Sequence, residues 1–128
     1  MEFYRATLFE RTLKNLVVKG GFSAAYLMTG EGLYLAAVPP TRLEEPFAAL
    51  ATSAMQTLAR APKAGLFDAH MLTIHREFGG AVVFYYFYHK GDTEGTFIIA
   101  ALAEKRDYYP DVIPAAARQI QDDLREFY

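Results

Sequence analysis

The sequence predicts an α+β fold, a five-stranded antiparallel sheet sandwiched by helices in the order α-β-β-α-β-β-β-α. Three observations predict it. Three segments carry apolar residues three and four apart, the spacing of one helical face. Five shorter runs are bounded by glycine-containing turns or prolines, as strands are. The runs around Val82 to Phe87 and Phe97 to Leu102 hold bulky apolar groups on both sides, so both faces of the sheet need cover. With three helices available, the two terminal ones share a face and the middle one covers the other.

The elements follow in order. From Glu2 to Val18, Ala6, Phe9, Leu13 and Leu16 form one stripe, and Gly20-Gly21 ends the helix. Phe22 to Met28 and Leu33 to Val38 flank Thr29-Gly30-Glu31-Gly32, whose glycines can take the positive φ of a tight hairpin. After Pro39-Pro40, Leu43 to Arg60 sets Leu43, Phe47, Leu50, Ala51, Ala54 and Leu58 on one face of a second helix. Its start has two solutions. Thr41 and Glu44 make a capping box but leave Pro46 to cost a backbone bond in the second turn; Pro46 at the first helical position costs none. Ala69 to Glu77, Ala81 to His89 and Thr96 to Glu104 then form an antiparallel meander, separated by Phe78-Gly79-Gly80 and by Lys90 to Gly95. Ile113, Ala117, Ile120, Leu124 and Phe127 close the chain with a helix that Asp111 can cap and whose first turn accommodates Pro114. The first helix is net basic and the last net acidic, which suits their sharing a face.

Composition narrows the function. At 128 residues and 52% hydrophobic, the chain is a single globular domain spanning residues 1–128. Without cysteine it has no disulfide scaffold, thiolate metal site or cysteine nucleophile. Met1-Glu2-Phe3 is not the start of a signal peptide, and the longest uncharged apolar run, Ala81 to Tyr88, is far short of the about 20 residues a membrane helix needs. A cytoplasmic protein is expected. A net charge of −2 offers nothing for phosphate backbones, so nucleic acid is not an expected partner.

The middle helix is the informative element. Between Glu45 and Arg60 there is no charge, although a helix on a sheet ordinarily turns a charged face to water. Its outer face reads Ala49, Thr52, Ser53 and Gln56, flanked by Ala48 and Ala59: small, neutral groups that let another backbone approach. The chain has no spare element to cover them, so the cover is expected from outside the protomer. Met71, Leu72 and Ile74 add an apolar edge strand open to pairing, with His75, Arg76 and Glu77 as its possible guards.

Catalytic chemistry finds no anchor. His70 and His75 point to opposite faces of one strand, and His89 stands at a turn, so no pair has metal-ligand spacing; all three read as solvated or structurally hydrogen-bonded. Asp68 and His70 could pair on one face, but Ser23 and Ser53 lie in no nucleophile elbow. Gly30-Glu31-Gly32 lacks the Lys-Ser/Thr end and following helix of a phosphate loop. The aromatic run from Tyr85 to Tyr88, without interleaved basic residues, belongs to a core. No catalytic residue, cofactor or metal is expected.

Taken together, Gly20 to Met28 running into Gly32-Leu33-Tyr34-Leu35-Ala36, the Ala-rich Phe47-Ala48-Ala49-Leu50-Ala51, the meander and the closing helix resemble the Roadblock (dynein light chain) family, including its bacterial gliding-polarity regulators. Glu31 stands where that pattern usually has Asp. The resemblance implies a homodimer or heterodimer whose third strands pair edge to edge into a ten-stranded sheet, and a small Ras-like GTPase docked on the paired middle helices. Carried over, the pairing edge is Leu72, Ile74 and Arg76, and the platform Glu45, Ala49, Thr52, Ser53, Gln56 and Arg60. Arg42 or Arg60 are the candidates for an arginine finger. The expectation is therefore a non-enzymatic dimeric regulator or scaffold. The rival is a small-molecule sensor of PAS or GAF type, which needs a ligand cavity between helix and sheet.

Overall fold

The computed structural model describes residues 2–40, 45–77, 79–90, 95–105 and 107–127, with side chains over 7–40, 47–77, 79–90, 95–105 and 107–125. The elements are α1 (Glu2–Gly20), β1 (Ala24–Thr29), β2 (Tyr34–Val38), α2 (Glu45–Arg60), a 3₁₀ turn (Ala61–Ala64), β3 (Met71–His75), β4 (Ala81–His89), β5 (Gly95–Ala103) and α3 (Val112–Phe127). The sheet runs β2-β1-β5-β4-β3, every neighbour antiparallel. The two-sided apolar runs follow from this order: β5 is central, β4 and β1 flank it, and helices cover both faces.

Register sorts the side chains into layers. Tyr26, Ala100, Phe84 and Leu72 lie in one row across β1, β5, β4 and β3, facing α2; the next row, Leu27, Ile99, Tyr85 and Met71, faces α1 and α3. In the first row Ala100 carries only a methyl group. The Phe47 ring of α2 fits there, 5.9 Å from the rings of both Tyr26 and Phe84. On the opposite face Phe9, Leu13 and Leu16 of α1 and Ile113, Ala117, Ile120 and Leu124 of α3 are buried together. The two helices join end to start, the Tyr109 N–H donating to the Gly20 carbonyl at 2.8 Å. A side chain has no room at this corner: a Cβ on Gly20 would lie 2.5 Å from the Phe22 ring, and Gly21 sits at φ 72.

Several local expectations change. α2 begins at Glu45, so Pro46 lies in the first turn and costs no bond; the Thr41–Glu44 box lies outside the described residues. Leu50, placed by periodicity on the core face of α2, is 41% exposed, while Ala51, Ala54 and Leu58 are buried. Leu50 lies about 100° around the helix from Ala51, beyond the strip that touches the sheet. His89 stands at the end of β4, at the mouth of a turn as expected, but is buried there, 4% exposed. Of the hairpin glycines, Gly32 takes the positive φ, 91°. Asp68 sits in a turn at φ 62, outside β3, so it shares no strand face with His70. Among the described side chains the ion pair is Arg125 with Asp122 at 3.0 Å, within α3 and exposed, rather than one between α1 and α3.

Candidate functional site

Ala51, Ala54 and Leu58 bury one side of α2, which turns Ala49, Ser53, Gln56 and Arg60 to solvent and leaves Thr52 half-buried. Thr52 Oγ1 donates to the Ala48 carbonyl at 3.1 Å and Thr57 Oγ1 to that of Ser53 at 3.0 Å, so both threonine hydroxyls are satisfied by their own helix. From Phe47 to Ala59 the described surface of α2 carries no charge, and Arg60 closes it. The Glu45 side chain lies outside the described residues.

The flanks of this face differ. Thr52 Oγ1 lies 3.3 Å from where a Cβ of Gly32 would be, and the Met55 methyl 3.6 Å from that of Gly30, so this flank abuts the β1–β2 hairpin. Leu33, 66% exposed, extends it with an apolar group. Leu50 and Thr57 lie on the other flank, toward β3, against which α2 also packs. There Ile74 is 38% exposed, and beyond the 3₁₀ turn Leu66 and Phe67 are 63% and 74% exposed. The uncharged face is thus bordered by exposed apolar groups.

The edge of β3 is set by hydrogen-bond parity. The Tyr86 N–H donates to the His70 carbonyl and the Arg76 N–H to the Gly80 carbonyl, both at 3.0 Å. In an antiparallel ladder those bonded pairs recur at every second residue, so His70, Leu72, Ile74 and Arg76 spend their backbone groups on β4. Met71, Thr73 and His75 direct theirs outward. The other edge, β2, is protected differently, by an irregular register opposite Leu27 and Met28 and by Pro39-Pro40 at its end.

The anticipated edge residues lie on this strand with their backbone groups turned to β4. Leu72, Ile74 and Arg76 share the α2 side of the sheet, Leu72 half-buried beneath α2, Ile74 and Arg76 exposed, and the open backbone belongs to their neighbours. Of the platform, Ala49, Thr52, Ser53, Gln56 and Arg60 come together on one face. Arg42 lies outside the described residues. Leu33, Leu50, Leu66, Phe67 and Thr73 were not anticipated; two large apolar side chains inside the loop Gly65-Leu66-Phe67-Asp68 were the available signal.

Two of the concavities among the described residues bear on these readings. One, of about 550 Å³, opens between the β3–β4 turn and the segment leading to α3, lined by His75, Arg76, Gly79, Gly80, Tyr108 and Pro110. The other, of about 430 Å³, is a groove between α1 and α3 lined by Asn15, Lys19, Asp111 and Gln119 among others. Neither lies between α2 and the sheet. Among the described residues no three His, Asp or Glu gather closely enough to hold a metal ion, and no helix is long and apolar enough to cross a membrane.

No family model matches the sequence, and no curated protein does. Solved structures do. A Roadblock/LC7 domain from Streptomyces avermitilis is 14% identical, with 92% of this chain and 95% of that one covered and a TM-score of 0.62. The gliding protein MglB from Thermus thermophilus is 15% identical, with 96% and 87% covered and a TM-score of 0.57. An MglB with a tetrameric arrangement is 14% identical, with 94% and 87% covered and a TM-score of 0.59. Likeness at this level of identity carries architecture and leaves activity to be argued from the site: the chain has the Roadblock/LC7 fold.

Proposed function

We propose that this protein is a non-enzymatic regulator or scaffold that forms a homodimer through β3 and docks a small Ras-like GTPase on the outer face of α2. The observation that carries the reading is the uncharged outer face of α2, flanked by exposed Leu33 on the hairpin side and by exposed Leu50 and Ile74 on the side of the open β3 edge. Small neutral side chains permit close backbone approach, and an outward row of N–H and C=O groups is a template for another strand. The tetrameric arrangement of the MglB relative supports self-association, and the GTPase follows from the family likeness. The sensor reading is disfavoured because Phe47, Ala51 and Ala54 occupy the space between α2 and sheet in which a ligand would sit.

The platform is tested with Thr52→Arg combined with Gln56→Arg. Both positions reach the surface, so the fold is expected to persist, with an unchanged melting temperature and an unchanged dimer mass by light scattering. Binding to purified Ras-like GTPases, each loaded with a fluorescent GTP or GDP analogue, is expected to fall at least about tenfold, since two unpaired charges would be desolvated at the contact. A GTPase that binds wild type and the double variant equally would remove this face from the mechanism.

A further inference from the structure

At its two ends β3 meets surfaces of opposite shape. Before the strand, the Gly65 N–H donates to the Pro62 carbonyl and the Leu66 N–H to that of Ala61, both at 3.0 Å, with Gly65 at φ 84. This turn ends the 3₁₀ segment and leaves Leu66 and Phe67 projecting, 63% and 74% exposed, next to the exposed Asp68. Beyond the strand lies the hollow of about 550 Å³, in which Tyr108 and Pro110 supply apolar wall, Gly79 and Gly80 add no side chain, and His75 and Arg76 supply the polar and cationic groups. One end offers an aromatic knob with a carboxylate beside it. The other offers a hollow with a guanidinium in its wall.

We propose that, in a pair built on β3, Phe67 of each copy seats in the His75–Tyr108 hollow of the other, with Asp68 near Arg76 of that copy. The inference rests on the edge-pairing reading above and adds what completes the interface. Only Met71, Thr73 and His75 have outward backbone groups, so a two-fold antiparallel pairing that uses the whole strand centres on Thr73. It sets Met71 across from His75. The antiparallel arrangement also brings the start of one β3, which Phe67 precedes, beside the end of the other, where the hollow lies. The same symmetry makes the contact twice. Within one copy the knob cannot fill its own hollow, because β3 alone separates them by about 13 Å at about 3.3 Å per residue. Asp68 beside the knob and Arg76 at the hollow supply one opposite-charge pair for each such contact.

The chain has no cysteine, so introduced thiols report cleanly. Phe67→Cys and Glu77→Cys alter exposed side chains. A short bismaleimide is expected to cross-link a mixture of the two variants into a dimer and to leave each variant alone largely uncross-linked, since like positions on two paired copies are far apart. Phe67→Ala is expected to weaken the dimer about tenfold by sedimentation, with its melting temperature at low protein concentration unchanged. A wild-type dimer that Thr73→Pro dissociates, yet that shows no mixture-specific cross-link and no weakening by Phe67→Ala, would overturn the knob and leave edge pairing standing. A wild-type chain that stays monomeric at high concentration would overturn both.

Discussion

Thr73→Pro is expected to give a folded monomer. Proline has no N–H and is tolerated where that N–H faces away from the sheet, and the parity of β3 puts Thr73 there: the Leu72–Phe84 and Ile74–Val82 pairs on either side carry the bonds to β4. The substitution leaves the β3–β4 ladder whole and removes the outward donor at the centre of the edge. Because of the two-fold symmetry it deletes two inter-chain bonds, each worth about 0.5–1.5 kcal/mol, and sets two pyrrolidine rings against each other. Dimer affinity is expected to drop more than about a hundredfold, from a dimer to a monomer by light scattering at micromolar concentration. Leu72→Pro is the contrasting control: it removes a bond to β4 inside the protomer and is expected to destabilise the fold by about 3 kcal/mol. A Thr73→Pro protein that dimerises as tightly as wild type would show that the copies do not meet along β3.

Phe84→Ala is expected to be the most damaging single truncation on the α2 side of the sheet. Phe84 is 1% exposed on β4 and packs its ring 5.9 Å from that of Phe47, the residue seating α2 over Ala100. Its neighbours in the row are fixed by strand pairing to Ala100 and Leu72 and cannot collapse into the space. The cost is therefore expected at about 3–5 kcal/mol by urea denaturation, a large share of the roughly 5–15 kcal/mol a domain typically has. Binding at the α2 face is expected to weaken as well, because the helix loses the contact that holds its first turns down. A loss below about 1 kcal/mol would mean that α2 is seated by something other than this aromatic row.

Much of this architecture was legible in the chain. The stripes Phe9-Leu13-Leu16 and Ile113-Ala117-Ile120-Leu124 are read from spacing alone and are buried on one face. The two-sided runs in β4 and β5 correctly called for helices above and below the sheet. The neutral stretch of α2 was legible too, since a missing charge needs no coordinates to be seen. Leu50 was not. It fits the apolar period of α2 as well as Ala51 does, and the exposure of one and burial of the other depend on how the helix is rolled on the sheet, which Phe47, Tyr26 and Phe84 decide from three separate elements.

The edge of β3 shows where local reading stops. Met71, Leu72 and Ile74 identify an apolar edge strand, but whether Leu72 or Thr73 offers its backbone to a partner is a matter of parity against β4, and a slip of one residue would exchange the two. That register is fixed on another strand, where Phe84 and Val83 stand across from them. Likewise Phe67 and Tyr108 are distant in the chain and acquire a joint meaning only when β3 is placed between them. By itself the sequence determined the periodicities, and with them the elements, their layers and the uncharged helix face, because those depend on residues within a few positions of one another. Only the tertiary structure decided the roll of α2, the outward atoms of β3 and the knob and hollow at its ends, because these are relations between segments that meet after the chain has closed on itself.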